Sequence, residues 1–418
     1  MPTLPTIYLR PGHAERVVAG HPWVYANAIH HATVPPADGD LVQVKDSRHR
    51  FLGVGFFNSR SKIRVRMLAP ERVQPDASFF AERVRAALAV RQRHLPGATS
   101  FRVVNAESDG LSGLIVDKYE DVLVVQISSL GMDRCKPQIV TALQDVLSPR
   151  AILERSDVAS RQFEGLEEAN GLLAGRLEGW SAGPAEPEAA GQAAGGLILP
   201  MNLNGLRFEV DLRGGHKTGL YLDQQVNYEV VARFARGAQV LDCFSFQGGF
   251  GLHAARAGAA HVHMLDQSAE ATAAALRNAA ANGLADRCTA EAVNVFDWLK
   301  ARTRTGPHEK LVPHFDLIVL DPPSFTRTRA AVPDALRGYK EIHVRALKLL
   351  RPGGTLATFC CSHHVDARTF QDVILAAAYD CRRLLRRVAT LTQSPDHPII
   401  PMIPETEYLK GFAFELIR

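Results

Sequence analysis

Apolar and polar positions follow a short period through the first seventy residues and a longer, helical one through most of the second half. Residues 41–44, 51–57 and 63–68 are β-like runs punctuated by Gly, Pro and Asp, which predicts a small, mostly β module over 1–70. The stretch LAPERVQP at 68–75 carries two prolines and no periodicity and reads as a linker. Asp76 is then placed to cap a helix in which Phe80, Val84 and Leu88 recur every four residues while the arginines face away. Two β-rich runs, 114–119 and 122–128, are separated by Glu120 and Asp121 and predict a hairpin. A helix over 133–147 and a strand over 151–154 complete an α+β unit spanning 76–178.

From 179 to 196 the sequence becomes GWSAGPAEPEAAGQAAGG. Such a composition buries too little surface to offset the entropy of ordering, so a flexible surface insertion is expected. Strand-like runs flank Asn204-Gly205, a pair suited to a type I′ hairpin turn. Beyond Asp223, short apolar strands at 240–243, 262–265, 317–320 and 355–359 alternate with helical stretches such as 269–282 and 334–350. That alternation predicts an α/β fold, a parallel sheet with helices on both faces. After a helix around 370–378, residues 382–392 and 411–417 offer two further strands.

A length of 418 residues allows about three domains, and 22% charged against 46% hydrophobic residues excludes fibrous, disordered and disulfide-stapled classes. No run approaches the eighteen or so apolar residues that span a bilayer, and the amino terminus lacks a signal-peptide pattern; a soluble, cytoplasmic protein is expected. Six cysteines without a C-x-x-C pair or zinc spacing argue for reduced thiols and no metal. The formal net charge of +4 is mild, but the arginines cluster: Arg48, Arg50, Arg60, Arg64 and Arg66 early, then Arg83, Arg85, Arg91 and Arg93. Guanidinium groups suit phosphates, so nucleic acid fits this distribution, and a solvated basic face fits it as well. Lys62, Arg64 and Arg66 alternate with apolar residues as on a half-buried strand, which makes Arg64 and Arg66 the candidate RNA contacts.

Sharper signals lie at strand ends. LDCFSFQGGFGLHAA (241–255) leads from a strand through an acidic residue and a glycine-rich turn into a helix, where backbone can approach a ligand and the helix start offers free N–H groups. The next strand ends at Asp266, placed to accept from ribose hydroxyls, so an adenosine-containing cofactor is expected. The turn alone does not choose it, because Gly249, Gly251 and Ala254 also fit the dinucleotide pattern, and glycine can serve packing only. FDLIVL then runs into Asp321, Pro322 and Pro323, whose prolines fix the loop, hold the carboxylate at the sheet edge and leave carbonyls free toward a ligand. The following strand ends in TFCCSHHV (358–365). A thiolate there could attack C6 of a cytosine and make C5 nucleophilic. Alternation puts Cys360 and Cys361 on opposite faces, so only one can point into a cleft, and a buried, inert cysteine is the plain alternative. His363 and His364 either serve a proton transfer or sit on an exposed loop.

KTGLYLDQQVNY (217–228), the glycine-turn segment, VNVFDWL (293–299), FDLIVLDPPSF (315–325) and CCSHHV (360–365) resemble, in order and spacing, the RlmI-like large-subunit ribosomal RNA cytosine-C5 methyltransferases. HPWVYANAI (21–29), residues 53–57 and IRVRML (63–68) look like that family's RNA-binding PUA domain. The resemblance covers nearly the whole chain. It implies a PUA barrel over 1–70, a middle α+β domain over 76–178 and, over 197–418 behind a leading hairpin, a Rossmann-like class I methyltransferase domain whose mostly parallel seven-stranded sheet ends in an antiparallel strand. It further implies S-adenosyl-L-methionine as cofactor, bordered by Asp242, Phe244, Gly248 and Gly249. Asp266 would hold its ribose, Asn294 and Val295 would read its adenine, and Lys217, Tyr221, Asp223 and Gln224 would close over it. Asp321 and Pro322 would hold the cytosine, and Cys361 would be the nucleophile. Asn294 stands where the family often has Asp, and Gln225 where Arg is frequent.

The expectation is an enzyme that forms 5-methylcytosine in large-subunit ribosomal RNA through a covalent cysteine adduct, with no membrane partner and with self-association into a homodimer left open. Its rivals are a related guanine methyltransferase, a PUA-bearing RNA-binding or assembly factor with vestigial catalysis and, more distantly, an NAD oxidoreductase.

Overall fold

The structure, a computed structural model, describes residues 4–177, 198–212, 219–304, 311–326 and 328–418; the insertion expected at 179–196 and Lys217 lie outside the described residues. The chain divides into two compact units, one of Met1–Leu199, Val210–Leu222 and Pro395–Thr406, the other of Pro200–Glu209, Asp223–Ser394 and Glu407–Arg418. The chain thus returns twice to the first unit, in Val210–Leu222 and Pro395–Thr406.

In the first unit the early β-like runs form a six-stranded sheet of Thr6–Leu9, Trp23–Tyr25, Ile29–Ala32, Leu41–Lys45, Phe51–Phe57 and Ile63–Ala69. Strand alternation sets its inner face: Val42 and Val44 are fully buried between half-buried neighbours. Asp76 caps the helix Ala77–His94, accepting from Phe79 N at 2.9 Å. That helix and Lys136–Leu147 share a core with a five-stranded sheet, in which Phe80, Val84, Val103, Leu123 and Ile152 are all but excluded from solvent. The arginines of the first helix do not all face away. Arg91 is fully buried, its guanidinium forked onto the Asp109 carboxylate at 2.6 and 2.7 Å and donating also to the carbonyls of Arg102 and Asp396. It lies one turn beyond buried Ala87, on the apolar stripe that its charge disguised. Asp396, from the returning segment Pro395–Thr406, accepts from Arg102 N at 2.8 Å.

The second unit is built on seven strands: β1 (Gln239–Cys243), β2 (His261–Asp266), β3 (Cys288–Ala292), β4 (Phe315–Leu320), β5 (Leu350–Cys360), β6 (Leu385–Thr392) and β7 (Lys410–Leu416). Their order is β3-β2-β1-β4-β5-β7-β6, with β1 to β5 parallel and β7 antiparallel to both neighbours. Helices α1 (Gln225–Ala232), α2 (Gly249–Arg256), α3 (Ala269–Ala281), α4 (Val295–Arg302), α5 (Val332–Leu349) and α6 (Ala367–Asp380) accompany them. Central parallel strands covered on both faces need apolar residues throughout, which is why β1, β4 and β5 were legible as short apolar runs. The edge strand β3, CTAEA, buries only Cys288 and escaped that reading. Neighbouring strands end in step: Cys243 stands opposite Leu265 and Leu320, and Leu320 opposite Thr358. The hairpin Ile198–Leu203 and Leu206–Asp211 turns through Asn204 (φ 52°) and Gly205 (φ 80°), the two left-handed positions of the expected turn. No helix among the described residues is long and apolar enough to cross a membrane.

Two buried histidines anchor helices of this unit. His343 on α5 has Nδ1 2.6 Å from the Tyr339 carbonyl and Nε2 2.8 Å from Thr358 Oγ1. A carbonyl only accepts, so Nδ1 carries the proton and Nε2 accepts from the threonine. Burial pushes the pKa of His343 down to about 4 and that of His253 to about 3. Between pH 6.5 and 4 the unfolded chain therefore binds more protons at position 343 than the folded one, and stability is lost as pH falls through that window at about 1.4 kcal/mol per pH unit. Buried Asp242, whose pKa is raised, acts with the opposite sign, so the effect is isolated by comparison with His343→Gln. The stability gap between wild type and His343→Gln, measured by urea unfolding, should shrink by about 2 kcal/mol between pH 7 and 5. A gap independent of pH would contradict a neutral His343.

Candidate active site

After β1 the backbone passes through three left-handed positions, Phe244 (φ 63°), Phe246 (φ 48°) and Gly248 (φ 86°), before α2 begins. Two of them carry phenylalanine, for which this conformation costs about 1–3 kcal/mol each. The turn is held against that cost by Ser245 N donating to the Leu265 carbonyl at 2.9 Å, Phe246 N to Asp266 Oδ2 at 2.9 Å and Gly248 N to the Ser245 carbonyl at 2.8 Å. Gly248 is required by its φ. At Gly249 the constraint is a neighbour, since a Cβ there would come within 2.6 Å of the Tyr228 ring.

Asp242, the fourth residue of β1, is fully buried beneath this turn. Its Oδ2 accepts from Gly251 N at 2.8 Å and its Oδ1 has no partner. Burial pushes its pKa up to about 8, and the charges of Asp321 and Asp266 push the same way against the Gly251 N–H. Three carboxyls at the ends of β1, β2 and β4 are thus close enough to feel one another. Asp266 accepts from Phe246 N and from Ser268 N, both at 2.9 Å, which leaves a lone pair on each oxygen. Ser245 Oγ and Gln247 Oε1, also in the turn, are buried without partners.

Beyond β4, Asp321 N donates to the Cys243 carbonyl at 3.4 Å and opens the loop through Pro322 and Pro323. Cys361 follows β5, partly exposed, with Sγ 3.9 Å from the Pro322 carbonyl. Cys360, one residue back, has no exposed surface and packs in the core with Ile342, Phe370 and Phe412. Of the two thiols, Cys361 therefore faces the Asp-Pro-Pro loop. Ser324 and Ser362 hydroxyls 3.0 Å apart, with Tyr339 OH 3.1 Å from Ser362, tie the two loops together. A cavity of about 440 Å³ adjoins them, lined by Arg329, Val332, His363, His364 and Asp366.

The remaining candidates are placed unevenly. Tyr221 falls in the segment Val210–Leu222 of the first unit, whereas Asp223 and Gln224 belong to the second. Asp223 is buried, its Oδ2 accepting from Tyr408 OH at 2.6 Å and its Oδ1 without a partner. Gln224 Oε1 accepts from Asn227 Nδ2 at 2.6 Å. Asn294 caps α4, its oxygen accepting from Phe296 N at 2.9 Å and Asp297 N at 3.3 Å. Both lone pairs of the amide oxygen expected to meet an adenine are committed to the helix start, a capping role that an Asn just before a helical run signals by itself. Arg66 is likewise committed. Only 15% of its side chain is exposed, and it donates to Glu164 at 2.9 Å and Ser112 at 3.0 Å and lies 3.6 Å from Glu107. Arg64, half-buried, donates to the Asn58 carbonyl at 3.5 Å. Tyr408 was not among the candidates; it meets Asp223 across 185 residues of chain, and no local pattern marks it.

A family model described as a PUA-like domain matches residues 7–70, and one described as an S-adenosylmethionine-dependent methyltransferase matches residues 196–365. The sequence is 40% identical over 411 residues to the ribosomal RNA large subunit methyltransferase I of Shewanella amazonensis, covering 97% of this chain and 98% of the relative. It is 38% identical over 409 residues to the protein of that name from Pseudoalteromonas translucida, with the same coverages. The chain belongs to the ribosomal RNA large subunit methyltransferase I family. Its fold is similar to that of a chain from Streptococcus mutans described as a SAM-dependent methyltransferase, with a TM-score of 0.77 at 20% identity over 98% of this chain and 99% of the other.

As a member of this methyltransferase family the protein uses S-adenosyl-L-methionine, and the residues at the sheet edge fit that group. Its methionine portion carries an ammonium, and Asp242 Oδ1, Gln247 Oε1 and Asp223 Oδ1 are buried oxygens without partners, so they offer acceptors for such a donor. Asp266 retains acceptor capacity of the kind that ribose hydroxyls require, and the Asn294 oxygen is engaged at the start of α4. Replacing Asp266 by Ala would leave ligand hydroxyls unmatched and release the N–H groups of Phe246 and Ser268, at about 1–3 kcal/mol. Calorimetry should show S-adenosylmethionine affinity weakened roughly tenfold or more in Asp266→Ala; unchanged affinity would remove Asp266 from the site.

Proposed function

We propose that the protein methylates C5 of a cytosine in large-subunit ribosomal RNA with Cys361 as nucleophile. The observation that carries this reading is the partly exposed thiol at the end of β5, 3.9 Å from the carbonyl of Pro322 on the loop that Asp321 opens. S-adenosylmethionine supplies an electrophilic methyl group on a sulfonium. Cytosine C5 is a weak carbon nucleophile, so the protein must supply the activation. Attack of the Cys361 thiolate on C6 forms the S–C6 bond and moves the C5=C6 π pair onto C5, which takes the methyl group. Loss of the C5 proton to a base returns that pair, restores C5=C6 and expels the thiolate. Asp321 and the Pro322 carbonyl are acceptors suited to the exocyclic amine of cytosine.

Ribosomal RNA is the substrate in the names of the relatives, and the PUA-like module supports RNA as the partner, with Arg64 retained as a phosphate contact. Such a substrate assigns the activity to the cytoplasm. A guanine substrate would also present an amine to the loop, but methylation of guanine gives a neighbouring thiol no part to play.

RNA carrying 5-fluorocytosine tests the mechanism, because fluorine cannot leave as a proton and the adduct is trapped. Wild type and Cys360→Ser should form the adduct. Cys361→Ser should lose both adduct and methylation while keeping its affinity for S-adenosylmethionine. Methylation of cytosine C5 near the wild-type rate in Cys361→Ser would overturn the assignment.

A further inference from the structure

We infer that Lys410 supplies the cation that holds Cys361 as a thiolate, a positioning role that rests on the reading of Cys361 as the nucleophile. Lys410 opens β7 and stands directly opposite Cys360 of β5 in the antiparallel register. It is 7% exposed, and its Nζ donates at 2.8 Å to the carbonyl of Ser362, the residue after Cys361. It forms no ion pair among the described residues. An ammonium has three donors, so two N–H directions remain after the bond to Ser362. A buried charge in that position is costly unless an anion answers it.

The groups around it narrow the choice of anion. Burial works against the ammonium, while Cys360, Cys361, Glu407 and Asp366 are the groups whose negative charge favours it. Asp366 is occupied as the cap of α6, accepting from Thr369 N at 2.7 Å. Cys360 is sealed in the apolar core, and Glu407 lies exposed at the surface. Cys361 is the thiol at the cleft; the Pro322 carbonyl presents an oxygen to it at 3.9 Å, and the buried Tyr339 phenol, raised by burial and by both cysteines, stays neutral. His363 and His364 follow on the same loop. A buried ammonium fixed on the carbonyl of the residue that follows the thiol is the kind of arrangement that lowers a cysteine's proton affinity.

A purely structural lysine, needed only to hold the Ser362 carbonyl, predicts no effect on thiol titration. The distinguishing experiment follows iodoacetamide alkylation of Cys361 by peptide mass spectrometry from pH 5 to 10 in the full chain, comparing wild type, Lys410→Met and Lys410→Arg. In Lys410→Met the pH of half-maximal alkylation should rise by about one unit or more, with the rate at pH 7 about tenfold lower. Lys410→Arg should restore most of both, and affinity for S-adenosylmethionine should be unchanged. Equal midpoints in wild type and Lys410→Met would overturn the inference. If Lys410→Met does not fold, wild type alone decides: half-maximal alkylation at or above the ordinary thiol value of about 8.5 would also overturn it. Alkylation does not require catalysis, so its outcome is separable from that of the nucleophile itself. Cytosine methylation surviving in Cys361→Ser would remove the catalytic reading with the alkylation profile intact.

Discussion

In a parallel sheet every strand delivers its last residue to the same edge, and the register of β1, β2, β4 and β5 brings four chemically active ends there in step. Strands lie about 4.8 Å apart, so side chains that leave neighbouring strand ends meet without any further device. Asp242, Asp266, Asp321 and Cys361 come from segments far apart in sequence and share this edge because of the register. The glycine turn, the cap of α4 and the Asp-Pro-Pro loop are each local solutions to leaving the sheet at that edge.

Concentrating acids there has a cost, and the structure around the edge meets it in particular ways. The Asp242 carboxyl, with a pKa of about 8, is mostly protonated at neutral pH, which removes one of three mutually repelling charges until a cationic group arrives. Two phenylalanines are kept in left-handed backbone by hydrogen bonds to the end of β2. Midway along α2, His253 is neutral and buried, its Nδ1 2.7 Å from the carbonyl of Gly249 at the start of the helix and its ring stacked on Tyr228 at 5.0 Å. Lys410, which donates to the Ser362 carbonyl, comes from the antiparallel strand, whose reversed direction lets its first residue reach the edge where β5 ends.

What was legible in the sequence follows from how local its cause is. Apolar runs give the central strands because burial on both faces leaves no choice of residue, and Asp266, Asp321 and the two cysteines could be placed once the strands were known. Edge strand β3 has few buried positions and left no such trace. Arg91 misled because charge argues for the surface, whereas the Asp109 carboxylate, 18 residues on, neutralises it in the core. Asn294 also caps α4, a role that its place just before a helical run signals. Tyr408, Lys410 and the returning segment Pro395–Thr406 depend on contacts separated by tens to hundreds of residues, for which a single sequence holds no signal.

Mass-spectrometric mapping of modified nucleotides in large-subunit ribosomal RNA, from cells with and without the protein, tests the cytosine assignment most directly. One 5-methylcytosine present with the protein and absent without it is the predicted result. Loss of a methylguanine, with every 5-methylcytosine unchanged, would contradict it.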